Sequence, residues 1–99
     1  MHVISRKTLI EFYNQPGRED AKGQLEAWYS EAKHAQWASP ADIKAQYGSA
    51  SIIRGNRVVF NIGGNKYRLI VRINYESKTV FVRFIGAHKE YDTINAEEV

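Results

Sequence analysis

Apolar positions along the chain change their spacing near residue 48. Before it they recur every three or four residues, the period of a helix face; after it they alternate or cluster in short runs, as in strands. His2–Ser5 is a short apolar-leaning run able to form a strand. Ser5 then stands as the cap of a helix through "RKTLIEFYNQ", with Leu9, Ile10 and Tyr13 on one face. Pro16 and Gly17 end it. Glu19 and Asp20 favour the start of a second helix running to about Ala35, whose apolar stripe is Ala21, Leu25, Trp28, Tyr29 and Ala32. Gly23 weakens its first turn by about 1 kcal/mol relative to alanine. In "SPADIKAQYG", Ser39 caps and Pro40 opens a third, short helix that Gly48 stops.

Downstream, "SASIIR", "VVFNI", "YRLIVRINY" and "TVFVRFIG" read as strands separated by the turns "RGNR", "GGNK" and "ESK". Short turns between alternating runs predict an antiparallel meander, and helices followed by sheet predict an α+β fold with N-terminal helices packed on one sheet face. Residues 1–99 read as a single domain, a length that buries roughly 60–70% of the unfolded surface. Within 66–75, parity puts Tyr67, Leu69, Val71, Ile73 and Tyr75 on one face and Lys66, Arg68, Ile70, Arg72 and Asn74 on the other. Within 79–85, Val80, Val82 and Phe84 match the apolar face, leaving Phe81, Arg83 and Ile85 opposite. Arg68, Arg72 and Arg83 are therefore expected to converge.

Charge sharpens that expectation. Residues 1–50 balance six Lys/Arg against six Asp/Glu, whereas residues 51–89 hold eight basic side chains and Glu76 alone. The last ten residues hold four acids and no base. Such a division is the footprint of a polyanion-binding face, although Arg54, Arg57 and Lys78 lie at turns and read as solvated. Trp28 and Trp37 read as core. The chain has no cysteine, and His2, His34 and His88 lack ligand spacing, so neither a metal nor a cofactor is expected. No apolar run approaches a membrane span, and no secretory signal is visible, which makes the cytoplasm the expected location.

The chemistry concentrates in "FIGAHKEYD", where an interior strand ends in His88, Lys89 and Tyr91. Arginine forks suit phosphate oxygens, and interleaved aromatics suit unpaired bases. Histidine, with an ordinary pKa near ~6.5, takes or gives a proton at neutral pH, and tyrosine or lysine can donate one. RNA carries its own nucleophile, the ribose 2′-hydroxyl. A base, an acid and cations around the phosphate then suffice for cleavage without metal. Alternation sets His88 on the face of Val80, away from the arginines; a bulge at Gly86–Ala87 would reverse the parity and bring it across.

"VFNIGGNKYRLIVRI" followed by "VFVRFIGAHKEYD", together with the "MHVIS" start and the Trp/Ser/Pro/Asp segment at 37–42, resembles the HigB-type, RelE-like toxins of bacterial toxin–antitoxin systems. The resemblance implies an α+β endoribonuclease that cleaves mRNA, commonly in the ribosomal A site, and so inhibits translation. Its implied partner is a HigA-like helix-turn-helix antitoxin. Carried over by residue, it implies Lys66, Arg68 and Arg83 for phosphate binding and charge stabilisation, and His88 and Tyr91 for proton transfer, with base and acid unassigned between them. Arg72 and Lys89 are further RNA-binding candidates. Two alternatives stay open: a non-catalytic RNA- or ribosome-binding module, and a toxin directed at gyrase.

Overall fold

The computed structural model describes residues 1–99. The helical half gives β1 (His2–Ile4), α1 (Arg6–Tyr13), a 3-10 turn at Glu19–Ala21, α2 (Lys22–His34) and α3 (Pro40–Gln46). The alternating half gives β2 (Ser51–Ile53), β3 (Arg57–Ile62), β4 (Tyr67–Asn74) and β5 (Thr79–Ala87), and α4 (His88–Tyr91) follows. The meander is present as expected, but the sheet has five strands in the order β1-β5-β4-β3-β2. His2–Ile4 pairs parallel with Thr79–Phe81, so the sheet is mixed rather than wholly antiparallel. The helices return the chain so that the last strand runs in the same sense as the first, and that geometry permits only parallel pairing there.

Directly paired residues share a sheet face, so the register assigns each side chain. Phe60 pairs with Leu69, Val58 with Val71 and Ile62 with Tyr67, all inward against the helices. Into this face α1 sends Leu9, Phe12 and Tyr13, α2 sends Leu25, Trp28 and Ala32, and α3 sends Ile43. Phe60 is the hub, with ring centroids 5.5 Å from Trp28, 6.3 Å from Trp37 and 5.1 Å from Tyr47. Both tryptophans are thus core, as read. No helix is long and apolar enough to cross a membrane.

The register corrects one prediction about parity. Ile70 pairs with Phe84 but Val71 pairs with Val82, which leaves Arg83 as the extra residue of a bulge in β5. The reversal therefore falls at Arg83, not at Gly86–Ala87. Phe84 consequently turns outward and Ile85 inward, opposite to simple alternation. Beyond the bulge Ala87 faces in, opposite Tyr67, and the chain leaves the strand for α4 at His88. Gly86 has a different task, because a Cβ built there would lie 2.6 Å from the Phe84 ring and 3.3 Å from Glu90 Cβ.

The outer face is not bare. Val59 and Ile70 point outward by register, yet they are 4% and 0% exposed and stand apart from the main apolar cluster. The chain after α4 returns to this sheet through Val99, whose main-chain oxygen accepts hydrogen bonds from Arg57 Nε (2.8 Å) and Arg83 Nε (3.3 Å). Arg54 pairs with Glu97 at 3.9 Å.

Candidate functional site

Lys66 ends the turn between β3 and β4. That turn needs Gly63 and Gly64, at φ +67° and +69°, where a side chain would be strained. Gln24 Oε1 accepts the Gly63 N–H at 2.6 Å and ties the turn to α2. The Lys66 carbonyl accepts the His88 N–H at 3.1 Å, so the backbone locks the turn to the first residue of α4. Arg68, next outward on β4, donates to the carbonyls of Asn65 (3.0 Å) and Tyr67 (3.3 Å). Its guanidinium carbon lies 5.9 Å from the centre of the Tyr91 ring. Gly86 is the residue paired opposite Arg68.

His88 and Tyr91 meet edge to face with ring centroids 6.4 Å apart, because one helical turn stacks positions three apart. His88 Nδ1 lies 3.2 Å from Asp92 Oδ2, and both side chains are half exposed. With Nδ1 directed at the carboxylate, Nε2 is the nitrogen left for a ligand. The Tyr91 hydroxyl has no protein partner. Arg68, His88 and Tyr91 thus gather at one end of the sheet, with the Lys66 backbone beside them and its ammonium turned to Asp20 and the Tyr67 ring.

The other candidates sit apart. Arg72 pairs across the strands with Phe81 and Arg57, four residues from Arg68, which at roughly 3.3 Å per residue is about 13 Å away. It lines an open cleft with Asn56, Tyr75 and Glu76 instead. Convergence of Arg68, Arg72 and Arg83 is therefore corrected: the bulge displaces Arg83, and Val99 engages it. Lys89 is exposed on α4 and makes no polar contact with the protein.

Acids that sequence reasoning passed over complete the site. Asp20 accepts the Tyr67 hydroxyl at 2.6 Å and pairs with Lys66 Nζ. Its hydrogen bond from Lys66, then that from Tyr67, holds the Asp20 carboxyl below the usual carboxylate range. Reciprocally, the Asp20 hydrogen bond pushes the Lys66 ammonium up, and the same carboxylate together with burial pushes the Tyr67 hydroxyl up. Glu90 Oε1 accepts the Ala87 N–H at 3.0 Å and binds Arg18 at 2.7 Å. The four-residue spacing of His88 and Asp92 was the one signal in the sequence; nothing local marks Arg18 or Asp20 as neighbours of residues 46 or more positions away.

The model of the HigB toxin family, described as the RelE-like toxic component of a toxin–antitoxin system, matches residues 21–94. The mRNA interferase toxin HigB of Escherichia coli (strain K12) is 29% identical over 98 residues, covering 97% of this chain and 92% of the relative. The mRNA interferase HigB of Shigella flexneri aligns with the same identity and coverage, and that of Escherichia coli O6:H1 is 30% identical over 96 residues, 95% of this chain and 91% of the relative. A match over three-quarters of the sequence, reaching through β5 and α4, is decisive: this chain belongs to the HigB toxin family, the RelE-like toxic component of a toxin–antitoxin system.

Proposed function

We propose that Lys66, Arg68, His88 and Tyr91 form the site at which this toxin cleaves mRNA. The relatives named as mRNA interferases match nearly the whole chain, and the activity carries across with them. The carrying observation is the geometry: an imidazole whose Nδ1 faces a carboxylate, a tyrosine 6.4 Å away, and the Arg68 guanidinium 5.9 Å from that tyrosine's ring.

The chemistry follows from those positions. Asp92 favours the tautomer with hydrogen on Nδ1, so Nε2 accepts the proton of the ribose 2′-hydroxyl. The freed 2′-oxygen attacks phosphorus, the bond to the 5′-oxygen breaks, and the Tyr91 hydroxyl protonates that oxygen as it leaves. The products are a 2′,3′-cyclic phosphate and a 5′-hydroxyl, and no co-reactant is consumed. Arg68 and Lys66 stabilise charge building on the phosphate oxygens. Arg72, Arg83 and Lys89 serve flanking phosphates rather than the reacting one.

An antitoxin partner follows from the family. We assign it the HigA-like helix-turn-helix type, the cytoplasm as location and mRNA in the ribosomal A site as substrate. Primer extension on cellular mRNA after induction of wild type or His88→Ala, with and without a translation block, tests this. New 5′ ends with wild type alone are expected, disappearing when translation stops. Intact mRNA with the wild type would overturn the reading in favour of a binding module or a gyrase-directed toxin, and ends that persist without translation would remove the ribosome from it.

A further inference from the structure

The connection between α1 and α2 contributes nothing to the chemistry above, yet it touches both halves of the site. Arg18 lies with its guanidinium carbon 4.6 Å from the centre of the Phe12 ring and its side chain 26% exposed, and it binds Glu90 Oε1 at 2.7 Å. That same oxygen accepts the Ala87 N–H at the start of α4. A four-residue helix has no stability of its own. The direction of α4, and with it the placing of His88 and Tyr91, is set by tertiary contacts, of which this is the one charged anchor.

Two residues on, Asp20 grips the other half. Tyr67, 2% exposed and edge-on to Phe12 at 5.3 Å, fixes one carboxylate oxygen through its hydroxyl. The second oxygen holds Lys66 Nζ. Asp20 and Lys66 are each about half exposed, a setting in which an ion pair adds little to stability. Binding a polyanion also argues against a carboxylate here, because Asp20 cancels a cation of residues 51–89, a segment with eight basic residues to one acid. Orientation is what the pair provides: a lysine side chain carries about 2 kcal/mol of rotamer entropy, and a fixed carboxylate removes that freedom before substrate arrives.

We propose that Arg18 and Asp20 are positioning residues for RNA cleavage: Asp20 presets Lys66 toward the phosphate, and Arg18, acting through Glu90, sets the direction of the helix that carries His88 and Tyr91. This rests on the catalytic assignment made above. Asp20 itself touches no substrate, and its held, ionised state keeps the lysine charged and in place.

The test is a double-mutant cycle on cleavage of mRNA in programmed ribosomes, read together with side-chain relaxation of Lys66 by nuclear magnetic resonance in the free protein. Asp20→Asn keeps an oxygen for the Tyr67 hydroxyl and removes the charge. A fall in kcat of about tenfold is expected, with KM unchanged or lower and the thermal midpoint barely moved. In a Lys66→Met background the same substitution should have no further effect, and Asp20→Glu should restore part of the loss. Arg18→Met, which keeps the contact with Phe12, should likewise lower kcat and add nothing in a Glu90→Gln background. Independent, multiplying losses in either cycle would overturn that arm, as would a rise in KM at constant kcat. If the wild type cleaves nothing, the catalytic assignment falls, and relaxation still decides: Lys66 equally mobile in wild type and Asp20→Asn would overturn the positioning role.

Discussion

Along β4, the side chains of Tyr67, Leu69, Val71 and Ile73 are at most 2% exposed, whereas their outward neighbours run from fully buried Ile70 to exposed Arg72. The inner face is ordered by removal of apolar surface from water, a non-directional force satisfied by any good packing. The outer face and the sheet end beside it are ordered more by individual polar contacts, from Arg18, Asp20 and Val99 in distant segments and from Asp92 four residues past His88. One face makes the fold and the other presents the chemistry. Substitutions on them should differ in kind as well as in size.

The largest effect on stability belongs to the inner face. Phe60 is 2% exposed and meets three other aromatic rings, so Phe60→Ala should cost about 3–5 kcal/mol in a urea titration, while the fraction still folded cleaves normally. A loss below about 1 kcal/mol would show that the aromatic cluster collapses to fill the space.

On the outer face the ranking inverts. Arg68→Ala should lower cleavage by about 10²-fold or more, in line with removing a preorganised donor, with stability changed by no more than about 0.5 kcal/mol. Arg83→Ala should cost less than about tenfold, because the bulge and Val99 hold that guanidinium away from the reacting phosphate. Measured kcat values for the two variants decide it, and equal losses would return Arg83 to the catalytic set.

Gly86 sits where the faces meet. A methyl group there collides with the Phe84 ring and presses on Glu90, so Gly86→Ala should cost about 1–3 kcal/mol as an overpacked site. It should also lower kcat by shifting α4. A midpoint unchanged in thermal unfolding would mean that Phe84 swings clear freely.

The contrast explains what could be read from residues in order. Helix stripes, the strand meander and both core tryptophans follow from periodicity, which depends only on near neighbours. Lys66, Arg68, His88 and Tyr91 are singled out by their chemistry and by the family resemblance, whereas simple parity sets His88 on the opposite face from Arg68. Arg72 keeps the face that parity gives it but lies a strand's rise away from Arg68, while Arg83 falls at a bulge inside β5 that shifts parity without a glycine to announce it. Phe12, absent from the predicted stripe of α1, is buried because Arg18 and Tyr67 close over it from later in the chain. Asp20 and Arg18 belong to the site only through contacts across some 46 and 72 positions, which no local pattern encodes.

The smallest effect separates the two faces by pH. The Asp20 carboxyl titrates lower in the folded chain than in the unfolded one, first because of its hydrogen bond from Lys66 and then because of that from Tyr67. Its contribution is therefore fully present above the ordinary carboxylate value near ~3.9 and is lost as pH falls through the lower, folded value. Lys66 titrates higher when folded, so its share is present below the ordinary lysine value near ~10.4 and is lost only as pH rises through the folded one. The stability gap between wild type and Asp20→Asn should accordingly be level from about pH 5 to pH 9 and close below about pH 4. Phe60→Ala alters no titrating group, and its gap should stay constant down to the same pH. Denaturant midpoints measured from pH 3 to pH 9 give both curves. Parallel curves at acid pH would show that the Asp20 contacts do not outlast solvation, while a gap closing between pH 6 and pH 8 would place a histidine, not Asp20, at the origin of the difference.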